Sequence, residues 1–385
     1  MKKSSIILLL IAMNAFVIWL TEFISVGLIP MFVTDFQISE STASLAVTFY
    51  AFGVIVGAPV LSVITNKMNR KNVLLLVMGI FIVGNLIVLK APSFEILIMG
   101  RFISAFAHGL FMTASSIIAA GVVEKEKRSS AIAIMFTGLT VATIFGVPFG
   151  TFLAAFFSWR STFLLITLLG IIIFIIDFLF IPNNIKSPKV STLKKQLQVF
   201  KSSKVLIVLL ITTLAYGSTF VIYTFISPLL LNVGFSQTTT TIILFIYGIM
   251  VALGNTIGGK LTNHRPLSNL LKIIIGQVII FFIITFLVNF KIPLLLGIII
   301  MGLFAFMNVP GLQLAMLSRS TKYTPNAIDL ASALNISAFN LGIAGGSLIG
   351  SIVYANLSSN MLGIFAALLA LLAVILIFIT KAVNE

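Results

Sequence analysis

The chain has 385 residues, 59% of them apolar and 9% charged, with 24 basic against 9 acidic side chains and a net charge of +15. Soluble domains carry about a quarter charged residues, so there is too little charge here to wet a globular surface, and lipid is the expected solvent. Cysteine is absent and only 2 His are present, which excludes a disulfide framework and a thiolate metal site.

Apolar runs of bilayer length, about 20 residues each, nearly exhaust the chain. Twelve helices are predicted, near 6–28, 42–64, 73–90, 95–121, 129–153, 160–182, 204–230, 239–260, 268–289, 292–317, 327–352 and 359–381. Asn14, Trp19, Glu22 and Pro30 fall where a signal-peptide cleavage site would lie, so the first helix is expected to be retained. With the N-terminus placed inside, the inner connections hold 20 of the 24 basic residues. The outer ones keep Lys90, Arg160 and Lys291, and Arg101 lies within a helix. Lys and Arg favour cytoplasmic loops. The charge is therefore read as an orientation signal rather than a nucleic-acid footprint, with both termini expected in the cytoplasm. Residues 183–203 are polar and read as a cytoplasmic linker between bundles at 1–182 and 204–385, with room for a short surface helix.

The chain repeats itself. A shift of 200 lays Ala131, Ala133, Gly146, Gly150 and Thr151 on Ala331, Ala333, Gly346, Gly350 and Ser351. A shift of 197 lays Tyr50, Gly57, Thr65 and Asn66 on Tyr247, Gly254, Thr262 and Asn263. A shift of 202 lays Ile98–Gly100 on Ile300–Gly302 and sets Arg101 against Leu303. Parallel repeats of this kind place a transport site between the halves near the midplane. Gly138, Ala142, Gly146 and Gly150 form one stripe of the fifth helix and Gly342, Gly346 and Gly350 one of the eleventh, which suits close helix approach. Pro148 removes a backbone donor, so Gly146, Pro148 and Gly150 are the candidate helix hinge.

Ionisable groups in a membrane usually face a partner or a cavity. Glu22 lies about 24 Å in from the inner end of helix 1 and Arg101 about 9 Å down from the outer end of helix 4 at 1.5 Å per residue, so the two depths nearly coincide and an ion pair is possible. His108 lies two turns deeper on the Arg101 face and titrates near neutral pH when unperturbed. Asp177 is read as snorkelling from the inner end of helix 6, and Asp329 as a helix cap. Asn14, Tyr50, Tyr216, Tyr223, Asn308, Gln313, Asn335 and Asn340 are the candidate cavity residues; each can equally bond across to a neighbouring helix.

From Gly57 to Phe163 the chain resembles the major facilitator superfamily. The branch it is most similar to is the bacterial drug–proton antiporters with sugar and arabinose exporters. The residues are Gly57-Ala58-Pro59, Asn66-Lys67-Met68-Asn69-Arg70-Lys71, Ala91-Pro92-Ser93-Phe94, Gly100-Arg101, Ala107-His108-Gly109, Glu126-Lys127-Arg128, Gly146-Val147-Pro148-Phe149-Gly150-Thr151 and Trp159-Arg160. Thr21-Glu22-Phe23, Gly254-Asn255 and Gly258-Gly259 also fit. The resemblance implies two six-helix bundles, alternating access and proton-driven export, with Asn66, Lys67, Arg70 and Lys71 at the cytoplasmic gate. The family usually carries Asp at the position of Asn66 and Gly at that of Asn69.

The expectation is an all-α, twelve-helix transporter of the bacterial plasma membrane, monomeric. It exchanges a small organic molecule for protons, with Glu22, Arg101 and His108 as coupling groups. No cofactor beyond the proton gradient, no metal and no nucleic acid is expected. The rivals are uptake or facilitated diffusion of a small polar metabolite, and a channel. A membrane enzyme or sensor is disfavoured, since no soluble domain and no paired loop carboxylates are present.

Overall fold

In hydrocarbon every backbone N–H and C=O must find a partner within the chain, and a helix closes them locally. A computed structural model of the protein describes residues 3–65, 68–124, 128–183, 197–262 and 266–382. The first seven helices are α1 (Lys3–Phe36), α2 (Glu40–Ile64), α3 (Arg70–Leu89), α4 (Phe94–Gly121), α5 (Arg128–Val141), α6 (Val147–Phe156) and α7 (Trp159–Phe180). Eight more follow: α8 (Ser203–Tyr223), α9 (Ile226–Asn232), α10 (Gln237–Thr262), α11 (Pro266–Leu287), α12 (Lys291–Ala305), α13 (Val309–Tyr323), α14 (Ile328–Asn356) and α15 (Met361–Ala382). Among the described residues they make 12 segments long and apolar enough to cross a bilayer, the all-α architecture read from the sequence. Most of the expected linker, 184–196, lies outside the described residues; Leu197–Lys201 is a 3-10 turn.

Three spans are not the continuous helices expected. The fifth is interrupted by a π turn, Ala142–Gly146, in which the Val147 N–H reaches back to the Ala142 carbonyl. The irregularity expected of Pro148 is thus taken up one turn before the ring. The seventh span breaks after Tyr223 and restarts as α9, with Pro228 in its first turn. The tenth breaks between Ala305 and Val309, with Pro310 at the start of α13. A proline in a first helical turn loses no intrahelical bond, so Pro228 and Pro310 are start signals inside apolar runs that otherwise read as unbroken. Conversely, α1 does not end before Pro30 but continues through it to Phe36, with the Thr34 hydroxyl donating to the Pro30 carbonyl at 3.0 Å.

The chain divides into two units, Met1–Ile38 with Phe49–Lys189, and Ser39–Thr48 with Val190–Glu385. In the first, α1 packs along α5 and α7, and α3 along α4 and α7. In the second, α8 packs along α14 and α15, α11 along α12 and α15, and α10 along α12. The start of α2 belongs by its contacts to the second unit: the Thr48 and Ser347 hydroxyls bond at 2.8 Å, and Ser351 Oγ donates to the Ser41 carbonyl at 2.9 Å.

Glycine contacts give the register of the repeat. A Cβ on Gly57 would strike the Phe106 backbone, and one on Gly254 the Leu303 backbone. Both residues of the second pair are the first pair shifted by 197. The shift of 202 is therefore wrong for helices 4 and 10, and Arg101 corresponds to Ile298, not Leu303. The partner is apolar either way, so packing symmetry does not require an arginine. The two small-residue stripes lie against neighbouring helices, the close approach expected of them: Gly138 abuts Ala12, Gly146 abuts Phe16 and Leu20, and Gly346 abuts Gly217.

Candidate functional site

Three helices of the first unit bring ionisable side chains together. α1 supplies Glu22, α2 supplies Tyr50, and α4 supplies Arg101 and His108 seven residues apart on one face. All are buried, Arg101 completely. Its guanidinium donates to the main-chain carbonyls of Thr21 at 2.9 Å and Glu22 at 3.3 Å. Each of these carbonyls has a second lone pair to offer beside its helical bond, so α1 need not be broken to hold the cation. The same guanidinium lies 4.6 Å from the centroid of the Tyr50 ring, a cation–π contact strengthened by desolvation.

The Glu22 carboxylate meets a different partner. His108 Nδ1 lies 3.7 Å from Glu22 Oε2. The Tyr50 hydroxyl is 3.5 Å from that nitrogen and 3.4 Å from the Ile18 carbonyl. Trp19 sets its ring edge-on to the imidazole at 5.9 Å. The expected Glu22–Arg101 pair is thus arranged in two parts. Arg101 is fastened to the α1 main chain, where its charge acts on Glu22, and the Glu22 carboxylate faces His108.

The remaining predicted residues fall into separate groups. Asn14 is fully buried and donates to the Leu10 carbonyl at 2.9 Å and to Asp177 Oδ1 at 3.2 Å. It ties α1 to α7. Asp177 correspondingly does not snorkel; it is fully buried. Asp329 opens α14 one residue in, but its side chain lies outside the described set. In the second unit, Thr212 Oγ1 donates to Asn335 Oδ1 at 2.8 Å, Asn335 Nδ2 to Gln313 Oε1 at 2.6 Å, and Gln313 Nε2 to Ser332 at 2.8 Å. This chain of bonds joins α8, α13 and α14. Asn308 sits at the break before α13 and donates to Gln277 Oε1 at 3.1 Å and to the Ala215 carbonyl at 3.3 Å. Asn340 donates within its own helix to Ile336 at 3.0 Å.

Tyr216 and Tyr223 belong to an aromatic cluster. Tyr216 packs edge-on against Phe306 at 5.3 Å and Phe339 at 4.9 Å. Tyr223 stacks on Tyr247 at 5.3 Å and 20°. Tyr247 is the repeat partner of Tyr50, so where the first unit sets a cation on a tyrosine, the second sets another ring.

Of the expected gate, Asn66 and Lys67 lie outside the described residues. Arg70 and Lys71 form the first turn of α3, and Asn69 caps it, its side chain accepting from the Asn72 N–H at 2.8 Å. Cations at a helix N-terminus oppose the macrodipole by about 0.3–1 kcal/mol each, so helix stability does not explain their position. The Lys71 ammonium lies 5.3 Å from the Phe178 ring centroid.

Residues 11–324 match the family model for the Major Facilitator Superfamily. The chain belongs to that superfamily. This facilitator is 48% identical over 347 residues to the MFS-type transporter YtbD of Bacillus subtilis (strain 168), covering 90% of this chain and 88% of that one. It is 27% identical to a "Probable sugar efflux transporter" of Helicobacter acinonychis (strain Sheeba), over 94% of this chain and 92% of that one. Its fold matches the crystal structure of a D-xylose-proton symporter with a TM-score of 0.75 at 14% identity, covering 97% of this chain and 96% of that one. The protein is a multi-pass membrane transporter, not an enzyme.

Sequence reasoning missed two anchors of the facilitator. Gln277 is a fully buried amide in the middle of the apolar α11; the rule that singled out Glu22 applies to it and would have found it. Asp35 accepts from Trp159 Nε1 at 2.9 Å and from Arg160 Nη1 at 2.6 Å, while Arg160 Nη2 donates to the Ala91 carbonyl at 3.0 Å. This joins the ends of α1 and α7 to the α3–α4 turn. Solvent screens the pair, whose side chains are 37% and 42% exposed, so its worth is modest. Asp35→Ala is expected to cost about 1 kcal/mol, read as a lowered midpoint in thermal unfolding of the detergent-solubilised protein. An unchanged midpoint would show that the contact holds nothing.

Proposed function

We propose that this facilitator exports a small organic molecule, with sugars the leading class, in exchange for protons by alternating access. The observation that carries the coupling is the buried Glu22–His108 contact at 3.7 Å beside an anchored Arg101. A carboxylate and an imidazole so placed differ by one charge according to whether they hold one proton or two. In hydrocarbon such a change is costly unless another event compensates it, and substrate arrival or departure is that event. Arg101, bonded to main chain, supplies the constant charge against which the change is felt. Export and a sugar-like substrate rest on the Helicobacter relative, whose name carries both. Cytoplasmic termini, a monomer and the bacterial plasma membrane complete the reading, the first from the basic loops. Arg70 and Lys71 are assigned to the cytoplasmic gate, and the π turn before Pro148 to the hinge.

The test is transport by purified protein in sealed vesicles, with a panel of labelled mono- and disaccharides and an imposed pH gradient. Accumulation against the sugar gradient, lost when an ionophore collapses the proton gradient, is the expected outcome. Equal flux with and without the gradient would establish facilitated diffusion instead. Unitary currents in a bilayer would mark a channel.

A further inference from the structure

The Asn14–Asp177 contact is incomplete as a pair of an amide and an ionised acid. Asn14 Nδ2 has two hydrogens, and both are in use: one bonds the Leu10 carbonyl at 2.9 Å, the other Asp177 Oδ1 at 3.2 Å. The Leu10 contact fixes which way the amide faces, since the reversed orientation would set the amide oxygen against a main-chain carbonyl oxygen. Two atoms are left over, Asn14 Oδ1 and Asp177 Oδ2, both buried and both without a hydrogen-bond partner. Each is an acceptor, so neither can satisfy the other while Asp177 is ionised. A single proton on Asp177 Oδ2 supplies the one donor the pair lacks, and Asn14 Oδ1 is the acceptor at hand.

Among the described residues the surroundings supply no other compensation. Asp177 is fully buried and forms no ion pair among the described residues. Of the helices packed on α7, α6 carries no titratable side chain, and on α1 the nearest, Glu22, is eight residues beyond Asn14, about 12 Å along the axis. On α3, Lys71 directs its ammonium to the ring of Phe178, the neighbour of Asp177, at 5.3 Å from the centroid. An uncompensated carboxylate in such a place costs several kcal/mol, whereas a neutral acid bonded to an amide costs little.

We infer that Asp177 is a second proton-binding site, separate from the Glu22–His108 pair, which holds its proton at neutral pH in an acid–amide pair with Asn14 and thereby joins α1 to α7. The inference does not depend on the proposed direction of transport or on coupling through Glu22.

Infrared difference spectroscopy of the full-length protein in nanodiscs tests this directly. At neutral pH the wild type is expected to show the carbonyl stretch of a hydrogen-bonded neutral carboxylic acid. That band should be absent in Asp177→Asn and retained in Glu22→Gln. A spectrum in which Asp177→Asn removes only a carboxylate band would overturn the inference. If Asp177→Asn does not fold, Asn14→Leu serves: the acid band should persist but move to higher frequency as its partner disappears, and an unmoved spectrum overturns the pairing. Thermal stability gives a second reading. A group that is protonated when folded and ionised when unfolded stabilises less as pH rises. The wild-type midpoint should therefore fall between neutral and alkaline pH by more than that of Asp177→Asn; parallel curves would count against the inference.

Discussion

Glu22→Gln is expected to abolish proton-driven accumulation while leaving the protein folded. For one proton exchanged per substrate, each unit of pH gradient supports about a tenfold accumulation, and in the variant that ratio should fall to one. The structure makes this substitution informative. Arg101 bonds the main-chain carbonyls of residues 21 and 22, and a glutamine leaves those carbonyls where they are. Loss of accumulation then reports the missing titratable group rather than a collapsed helix contact. Substrate exchange without a gradient should persist. Arg101→Ala differs, because it leaves Glu22 buried and uncompensated, at a cost of about 3–5 kcal/mol, so its transport defect should come with reduced thermal stability. Full accumulation by Glu22→Gln would remove this carboxylate from the coupling mechanism.

Gly346→Leu is expected to prevent folding, and Gly345→Leu to be tolerated. A Cβ on Gly346 would run into the Gly217 carbonyl of α8, whereas one on Gly345 would meet nothing within 4 Å. The obstacle at Gly346 is backbone, which cannot swing aside as a side chain can, so α8 and α14 would have to separate along their length. Overpacking a well-filled core by movable atoms already costs about 1–3 kcal/mol. Against a total stability of about 5–15 kcal/mol, a larger penalty takes away most of the folded protein. Monodispersity in size-exclusion chromatography after expression reads the contrast. Comparable profiles for the two variants would mean that the α8–α14 approach is not as close as Gly217 and Gly346 place it.

Much of the molecule is legible before any coordinates. The span count follows from apolar length because hydrocarbon admits few alternatives to a helix. The buried standing of Glu22, Arg101 and His108 follows from the cost of a charge in lipid, and the closeness of Glu22 to Arg101 follows from depth along two rods of known rise. These are one-dimensional arguments, and they work because a membrane reduces much of the fold to position along its normal. What they leave out is rotation about each helix axis and the choice of neighbour.

Only the tertiary structure decided that Arg101 would hold the main chain of α1 while the Glu22 carboxylate faced His108, 86 positions away in sequence. It alone paired Asn14 with Asp177, which local spacing set respectively in a cavity and at a lipid-facing end. It alone broke the seventh and tenth spans, since Pro228 and Pro310 start new helices only where neighbouring amides and carbonyls can absorb the interruption, as Gln277 and Asn308 do at the second break. The physical reason is the same each time. The energy of a buried polar atom depends on which partner atom lies within about 3 Å, and which helix supplies that atom is set by packing rather than by pattern.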